Sequence, residues 1–312
     1  ESGNQSVMKI AVLSDSPLSH DARILRHAQL LREAGHVVRV IGRAPLPNDP
    51  SDLDIVAVGA LHSPHVQRLE LVLRQSPATL APQLAQPLYW MSRRRLRARA
   101  LLAAFQPDIV LANDWNTLPL AAFAKTRFNA KVVYDTHEFA VEEFIDSRAW
   151  RLVSMAHVRE IERQNIGLAD RIMTVSDGLA EALSNHYHLK QRPLVVQNWA
   201  RTPVSAFTAT RMPFECVYQG IIAPRRGLET LVAGLSEWPA GTRLVLRGPL
   251  APGYDAVLRN AAGAGARALA IEPPVAPDRT VEAAAASDVG ICLMDDGYRQ
   301  IDYALPNKVL DY

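Results

Sequence analysis

The sequence predicts an α/β protein built from two doubly wound, mostly parallel sheets that follow each other along the chain. Short apolar strands alternate with amphipathic helices, which is the pattern of βαβ units. The alternation is interrupted once, by a proline-rich stretch over residues 199–213, and then restarts. The 312 residues are enough for two domains with separate cores.

The first predicted domain covers residues 8–198 and contains about seven strands. Its first strand lies in "MKIAVLSD" (8–15), and the helix at 20–35 follows, with Ile24 and Ala28 on its apolar face and Gly35 at its end. The further strands are predicted at 36–42, 54–58, 108–112, 131–135, 171–175 and 194–197, with the clearest helices at 92–105, 150–167 and 177–186.

The second predicted domain covers residues 214–312, after a linker at 199–213. Strands are predicted at 215–220, 243–248, 268–273 and 288–295, with helices at 226–236, 254–264 and 278–286. Four strands are few for such a domain, so we expect it to be truncated, with about 60 to 80 residues to follow. Ligands of open α/β sheets bind beyond the carboxyl ends of the strands, which predicts a cleft between the domains as the site.

The composition is that of a globular cytoplasmic protein. The formal charge of +2 gives no strong attraction to nucleic acid, and we expect no nucleic-acid partner. Cys216 and Cys292 both lie in apolar strand-like runs, which predicts buried, reduced thiols.

Five ordered segments carry a resemblance to a known family. They are "HDARILRHAQLLREAGHVVRVIG", "VVYDTHEF", "ADRIMTVSDGLAEAL", "YQGIIAPRRGLETLVAGL" and "DVGICLMDDGYRQIDYALPNKVLDY". From Met8 onward the chain resembles the retaining GT-B glycosyltransferases of the family-4 type. The resemblance implies two Rossmann-like domains that face a central cleft, and hexosyl transfer from a UDP- or GDP-linked sugar without a metal or other cofactor. It also implies a saccharide or lipid-linked hydroxyl acceptor, in the synthesis of cell-surface polysaccharide or glycolipid.

The donor side is predicted on two helix starts of the second domain. "PRRG" places Arg225 and Arg226 where backbone N–H groups and guanidinium groups favour a diphosphate. The chain matches the family pattern at Gly220. It departs from that pattern at two positions, because the resemblance implies an arginine where this chain has Ile221 and a lysine where it has Arg226. The alternative is a solvated helix cap.

The second helix start is "LPNKVLDY", with Asn307 and Lys308 ahead of the helix. The resemblance implies that Lys308 contacts the donor phosphates and that Asp311 binds the ribose. It also implies an acid near the transferred sugar, where this chain has Tyr303.

The acceptor side is predicted on the first domain. His137 ends the strand at 131–135, where a histidine can donate to a sugar hydroxyl or move a proton, and Glu138 follows it. The resemblance implies that His137 contacts the transferred sugar. Asp15, Asp21 and Arg23 lie after the first strand, with a helix cap and a surface charge as the alternatives for Asp21 and Arg23.

An arginine-rich stretch, "YWMSRRRLRAR", suggests an anionic membrane surface or a lipid-phosphate acceptor at the inner face of the plasma membrane. Its residues are Tyr89, Trp90, Arg93, Arg94, Arg95, Arg97 and Arg99. A solvated helix face is the alternative. No metal site is predicted, since the short acidic pattern of Asp52 and Asp54 stands at a predicted strand start. No Gly-x-Gly-x-x-Gly follows the first strand, which counts against a dinucleotide oxidoreductase.

The resemblance implies a reaction that needs no protein nucleophile. The departing phosphates would be stabilised by Arg226 and Lys308, and the acceptor would approach from the leaving-group face. Two other functions stay open from the sequence. One is a sugar-nucleotide 2-epimerase, and the other is a catalytically silent binding or scaffold protein with the same fold.

Overall fold

The chain divides into two compact units in a computed structural model. The first comprises residues 1–197 with 302–304, and the second comprises 198–301 with 305–312. The structure describes residues 6–16, 18, 22–43, 52–59, 64–199, 210, 212–276, 279–293, 303 and 305–312.

The first unit is built on a seven-stranded parallel sheet. Its strands are β1 (Lys9–Leu13), β2 (Val37–Gly42), β3 (Asp54–Ala57), β4 (Ile109–Asn113), β5 (Lys131–Asp135), β6 (Arg171–Thr174) and β7 (Leu194–Val195). They are ordered β3-β2-β1-β4-β5-β6-β7, so the sheet grows in one direction from β1 to β3 and in the other from β4 to β7. This order places β1, β4 and β5 side by side, with Leu13 opposite Ala112 and Asn113 opposite Asp135.

Nine α-helices accompany this sheet among the described residues. They are α1 (Ala22–Glu33), α2 (Pro64–Gln75), α3 (Pro77–Leu80), α4 (Ala85–Trp90), α5 (Arg93–Phe105), α6 (Leu118–Phe128), α7 (Arg148–Val153), α8 (Met155–Asn165) and α9 (Asp177–Tyr187). The helix predicted at 150–167 is two helices, because the run breaks at Ser154. Apolar side chains fill both faces of the sheet, as expected where helices cover a parallel sheet on both sides.

The second unit has a four-stranded parallel sheet. Its strands are β8 (Phe214–Gln219), β9 (Thr242–Arg247), β10 (Leu269–Glu272) and β11 (Val289–Gly290), in the order β10-β9-β8-β11. Its helices are α10 (Leu228–Ala233), α11 (Tyr254–Ala262), α12 (Thr280–Ala285) and α13 (Asn307–Asp311). Tyr218, Leu244 and Leu246 form the centre of its core and are fully buried.

The predicted α/β class and the two parallel sheets are confirmed. The predicted strand at 288–295 is shorter, since only Val289 and Gly290 pair with β8 in the part of the chain that the structure describes. Cys216 is buried and Cys292 is half-buried, and neither is in a disulfide.

Candidate active site

Polar side chains of the first unit collect where β1, β4 and β5 end. His137 lies just beyond β5, and its Nδ1 is 3.3 Å from Oδ1 of Asp114, which follows β4. Both side chains are about one-third exposed, at 33 % and 28 %. Asp114 has φ 62° and ψ 161°, an uncommon conformation for a residue with a side chain, and its N–H donates to the Asp135 carbonyl. A carboxylate is therefore in place to orient the imidazole of His137.

Two further carboxyl groups lie near this pair. Burial, together with the charges of Glu138 and Asp114 and a hydrogen bond with Glu138, raises the pKa of Glu143 well above its ordinary value. Two carboxyl groups that share a partly buried site cannot both ionise easily, so one of them keeps a proton near neutral pH. The site therefore combines an imidazole with a carboxylic acid that can donate a hydrogen bond.

Both predictions for Arg23 are wrong, as an acceptor contact and as a surface charge. The residue is 5 % exposed, and its Nε and Nη2 each donate to Asp135, which is fully buried, at 2.8 Å. Its Nη1 donates to the Val196 carbonyl. Arg23 thus ties α1 to β5 and the end of β7, and its two hydrogen bonds compensate the charge of the buried Asp135 carboxylate.

The remaining acceptor-side candidates, Asp15 and Asp21, have different outcomes. Asp15 is half-buried and pairs with Arg43 at 3.2 Å. Asp21 lies outside the described residues. Asp52 and Asp54, the short acidic pattern, form ion pairs with Arg32 and with Arg39 respectively.

The aromatic pair ahead of α5 does not face a lipid surface, which corrects the prediction. Tyr89 is fully buried and its hydroxyl donates to the Asn116 carbonyl at 2.7 Å. Trp90 is half-buried and packs against the core. The arginines differ among themselves: Arg93, Arg97 and Arg99 are exposed, whereas Arg94 and Arg95 are half-buried.

In the second unit Lys308 lies against the end of β8. Its Nζ is 3.2 Å from the Tyr218 hydroxyl and 4.3 Å from the centre of that ring. Gly220, just beyond β8, has φ 150°, and a Cβ there would meet Lys308 Cε at 2.7 Å. The structure thus brings together Gly220 and Lys308, two residues predicted to bind the donor, and only glycine leaves room for the lysine stem.

The other donor-side candidates lie around this pair. Arg225 and Arg226 are exposed in the turn after β8, and α10 begins at Leu228, two residues later than predicted. The Asn307 amide oxygen accepts from Asn198 at 2.9 Å, and Asp311 is half-buried in α13. Tyr303 groups with the first unit, where its ring packs edge-on against Phe139.

Three contributors were not predicted. Asp114 follows a predicted strand, so the rule that ligands bind beyond strand ends could have found it. Tyr218 stands inside the predicted strand at 215–220, where its aromatic type suggested only core packing. Glu143 lies only five residues after Glu138, but no motif marks it, and the short helical turn at Ala140–Glu142 that separates them was not predicted.

A family model described as a glycosyl transferase 4-like domain matches residues 21–199, which is more than half of the chain. The chain belongs to this family. The predicted resemblance to family-4-type GT-B enzymes is therefore confirmed, and the protein is a glycosyltransferase. None of the curated proteins compared with the chain matches it significantly.

Solved structures show the same fold at low sequence identity. Sucrose-phosphate synthase from Thermosynechococcus elongatus is similar with a TM-score of 0.62 and 16 % identity, over 91 % of this chain and 74 % of that one. WaaG, a glycosyltransferase involved in lipopolysaccharide biosynthesis, gives 0.60 and 14 %, over 90 % and 74 %. A protein described as a UDP-N-acetylglucosamine 2-epimerase from Listeria monocytogenes gives 0.55 and 12 %, over 88 % and 71 %.

The helices in the described part of the chain were also compared with the length and apolarity that a membrane span requires, and none of them meets both.

Proposed function

We propose that this glycosyltransferase acts with retention and without a metal, moving a sugar from a nucleoside-diphosphate sugar to a hydroxyl acceptor. The observation that carries the proposal is the Lys308 ammonium group held against Gly220 at the end of β8. A cation beyond the end of a parallel strand is suited to the phosphates of a nucleotide ligand.

Lys308 is suited to an anion because its own partners leave its charge uncompensated. It is half-buried, and its hydrogen-bond partner is the neutral Tyr218 hydroxyl. Among the described residues no carboxylate lies within ion-pair distance of its Nζ. A partly desolvated ammonium group gains most from a ligand that brings negative charge.

The leaving group in this reaction is a nucleoside diphosphate, whose oxygens gain negative charge as the glycosidic bond breaks. Lys308, with Arg225 and Arg226 in the turn after β8, would stabilise that charge in place of a metal ion. The sugar becomes oxocarbenium-like, and the acceptor hydroxyl approaches from the face that the diphosphate leaves. The departing phosphate takes the acceptor proton, and no protein nucleophile is needed.

His137 would contact the transferred sugar from the first unit. The nearby Asp114 carboxylate orients its ring, and the protonated member of the Glu138–Glu143 pair can donate to a sugar or acceptor hydroxyl.

The test of the donor site is Lys308→Ala. We expect the activation free energy to rise by about 2–4 kcal/mol, so that kcat/KM falls roughly 30- to 1,000-fold. This is the range for removing one stabiliser of a developing oxyanion. Lys190→Ala is the control, since Lys190 is exposed after α9. Transfer would be assayed with UDP- and GDP-linked sugars, and an unchanged kcat/KM in Lys308→Ala would remove this residue from the mechanism.

One observation favours a second candidate, a sugar-nucleotide 2-epimerase. In the pair of Glu138 and Glu143, the ionised carboxylate could take a proton from a sugar carbon and the protonated carboxylic acid could return one. Incubation with a UDP-sugar in deuterated water, without acceptor, separates the two reactions. Deuterium at C2 of the sugar would indicate epimerase chemistry, whereas donor binding with neither exchange nor transfer would indicate a silent binding protein.

We further propose a lipid-linked acceptor at a membrane surface, in glycolipid or cell-surface polysaccharide synthesis. The support is an apolar face on α2, where Val66, Leu69, Val72 and Leu73 follow helical spacing and are 44–61 % exposed.

A further inference from the structure

The first unit has a small cavity beside the end of β1. Its volume is about 20 Å³, which is room for about one water molecule, so a larger group can bind only at its mouth. We propose that this mouth is a binding site for the phosphate group of a phosphorylated acceptor, which names the acceptor class of the proposed transferase and rests on that function. Tyr89 forms part of its wall, and the other polar residues of its lining are Ser14, Asp15, Arg94, Arg95, Asn116 and Thr117.

Arg95 is held rigidly in this cavity without a counter-charge of its own. Its guanidinium group stacks on the Tyr89 ring, 3.7 Å from the ring centre, and its Nη1 donates to the Tyr89 carbonyl at 3.2 Å. Burial lowers the pKa of Arg95, Tyr89 and the Asp15 carboxylate act against this effect, and the positive charge of the neighbouring Arg94 lowers the pKa further. Among the described residues neither arginine forms an ion pair. Two adjacent, partly desolvated guanidinium groups are costly unless an anion neutralises them.

The charges of the neighbouring elements leave the cavity positive. Asp15 is the acid in its lining, and Arg43 already pairs with it at 3.2 Å. Arg74 of α2 acts on Arg95 as a further positive charge and is bonded to Glu70. His157 of α8 is fully buried, and burial together with Arg95 lowers its pKa to about 4, so its ring is neutral at pH 7 and changes the charge of the cavity in neither direction. The two guanidinium groups thus remain for a ligand to neutralise.

A second observation points to a ligand that also offers a hydroxyl group. The Asn116 Oδ1 atom is buried and has no hydrogen-bond partner among the described residues. An amide oxygen in this state requires a donor. A phosphate monoester carries about −1.5 to −2 charges at pH 7, enough for both arginines, and a sugar or glycerol phosphate brings hydroxyl donors with it.

The position of the cavity assigns it to the acceptor. Ser14 and Asp15 follow β1, and β1 neighbours β4, which neighbours β5 and His137. The phosphate site therefore lies on the same edge of the same sheet as His137, while the proposed donor contact at Lys308 belongs to the other unit.

The test uses the whole chain with arginine side chains labelled with nitrogen-15. Inorganic phosphate is titrated in at constant ionic strength, and the Nε–Hε signals of Arg94 and Arg95 are assigned from single variants. We expect a saturable shift of both signals, with affinity reduced at least about tenfold in Arg94→Gln. Arg97→Gln is the matched control on the same helix, because Arg97 is exposed and outside the cavity lining. Absence of a shift, or an equal shift on adding sodium chloride, would overturn the proposal.

Two further arms identify the source of the phosphate. Glycerol 3-phosphate represents a free phosphorylated acceptor, and phosphatidic acid in phosphatidylcholine vesicles represents a lipid headgroup. If Arg94→Gln binds either ligand more weakly than Arg97→Gln does, the result supports the site. If the two variants bind each ligand equally well, the result contradicts it. These measurements use no donor sugar and are therefore independent of the Lys308 test. Either the phosphate site or the donor site can be rejected while the other proposal stands.

Discussion

Three buried or half-buried carboxyl groups near the end of the first sheet are held by different partners. Asp135 accepts two hydrogen bonds from Arg23, and Glu143 shares a hydrogen bond with Glu138. Glu162 is fully buried in α8 and accepts from the hydroxyls of Tyr134 and Tyr187, each at 2.6 Å. The partner decides whether the group stays charged, because a guanidinium group compensates the charge and a phenol does so only in part.

Glu162 predicts a pH dependence of stability. Burial raises the pKa of Glu162 to about 7 against the lowering effect of the two tyrosine hydrogen bonds. The folded protein then binds a proton more tightly than the unfolded chain does. The stabilisation from this group is complete below the unfolded pKa, near 4.5, and is lost as the pH rises through about 7.

Glu162→Gln tests this sign. The wild-type free energy of unfolding should fall between pH 5 and pH 8 by up to about 3 kcal/mol relative to the variant, since one pKa unit corresponds to roughly 1.4 kcal/mol. Urea unfolding followed by tryptophan fluorescence measures both proteins. Glu181→Gln is the control, because Glu181 is exposed on α9. A difference between wild type and Glu162→Gln that is constant with pH would contradict the assignment.

Residue type and strand position were enough to predict His137 at the end of β5, because ligands of a parallel sheet bind beyond the carboxyl ends of its strands. The same reasoning would also have found Asp114, which follows β4. The partner of Arg23 could not be predicted, since 112 residues separate it from Asp135. The same holds for Arg95, because the sequence shows a run of arginines but not which of them stacks on a buried tyrosine.

At the scale of elements, the ends of β8 and β9 approach so closely that side chains are excluded. Gly248, just beyond β9, has φ 151°, and a Cβ there would lie 2.0 Å from the Gly220 carbonyl oxygen. Gly248→Ala should destabilise the second unit by about 3 kcal/mol, from backbone strain and the clash together. It should also weaken donor binding, because the clash would displace Gly220, against which the Lys308 side chain lies.

Gly234→Ala is the matched control for that variant. Gly234 ends α10 with φ −77°, and an added Cβ meets nothing within 4 Å. This substitution should leave stability unchanged or raise it by about 0.4–1 kcal/mol. Urea unfolding measures the stability of both variants. Similar unfolding midpoints for Gly248→Ala and Gly234→Ala would contradict the close approach of the two strand ends.

The exposed apolar face of α2 predicts binding to lipid vesicles. The double change of Leu69→Asp and Leu73→Asp should reduce co-sedimentation with anionic vesicles at least about tenfold, since each leucine that enters the lipid contributes about 1.5–3 kcal/mol. Val257→Asp on α11 is the control, as Val257 is also half exposed, at 49 %. Equal co-sedimentation of the three proteins would exclude this face as the membrane contact.

Helical periodicity predicted some elements closely and missed others. The predicted helix at 92–105 is α5, Arg93–Phe105. The sequence of α6, "LPLAAFAKTRF", does not predict its helix from periodicity, because five of its residues are buried and its polar face is narrow. The helix predicted at 150–167 ignored Ser154, where the backbone leaves regular helix between α7 and α8.

At the scale of the whole molecule, each unit has its own parallel sheet, its own core and its own set of candidate site residues. The alternation of strands and helices predicted both sheets, because each βαβ unit is local in sequence. The clustering of Tyr303 with the first unit was not predictable, since that contact joins Phe139 to a residue more than 150 positions later.

This division predicts that donor affinity and turnover respond to different residues. Lys308→Ala should weaken the binding of UDP or GDP about tenfold or more, since it removes a charge-assisted contact to phosphate, and should lower turnover as well. His137→Ala should leave that affinity within about twofold while turnover falls roughly 100- to 10,000-fold, the range for a positioned proton-transfer or hydrogen-bonding group. Calorimetry gives the affinities and a transfer assay gives the rates. If His137→Ala weakened nucleotide binding as much as Lys308→Ala did, the donor phosphates would depend on both units, and the assignment of His137 to the sugar and acceptor would be wrong.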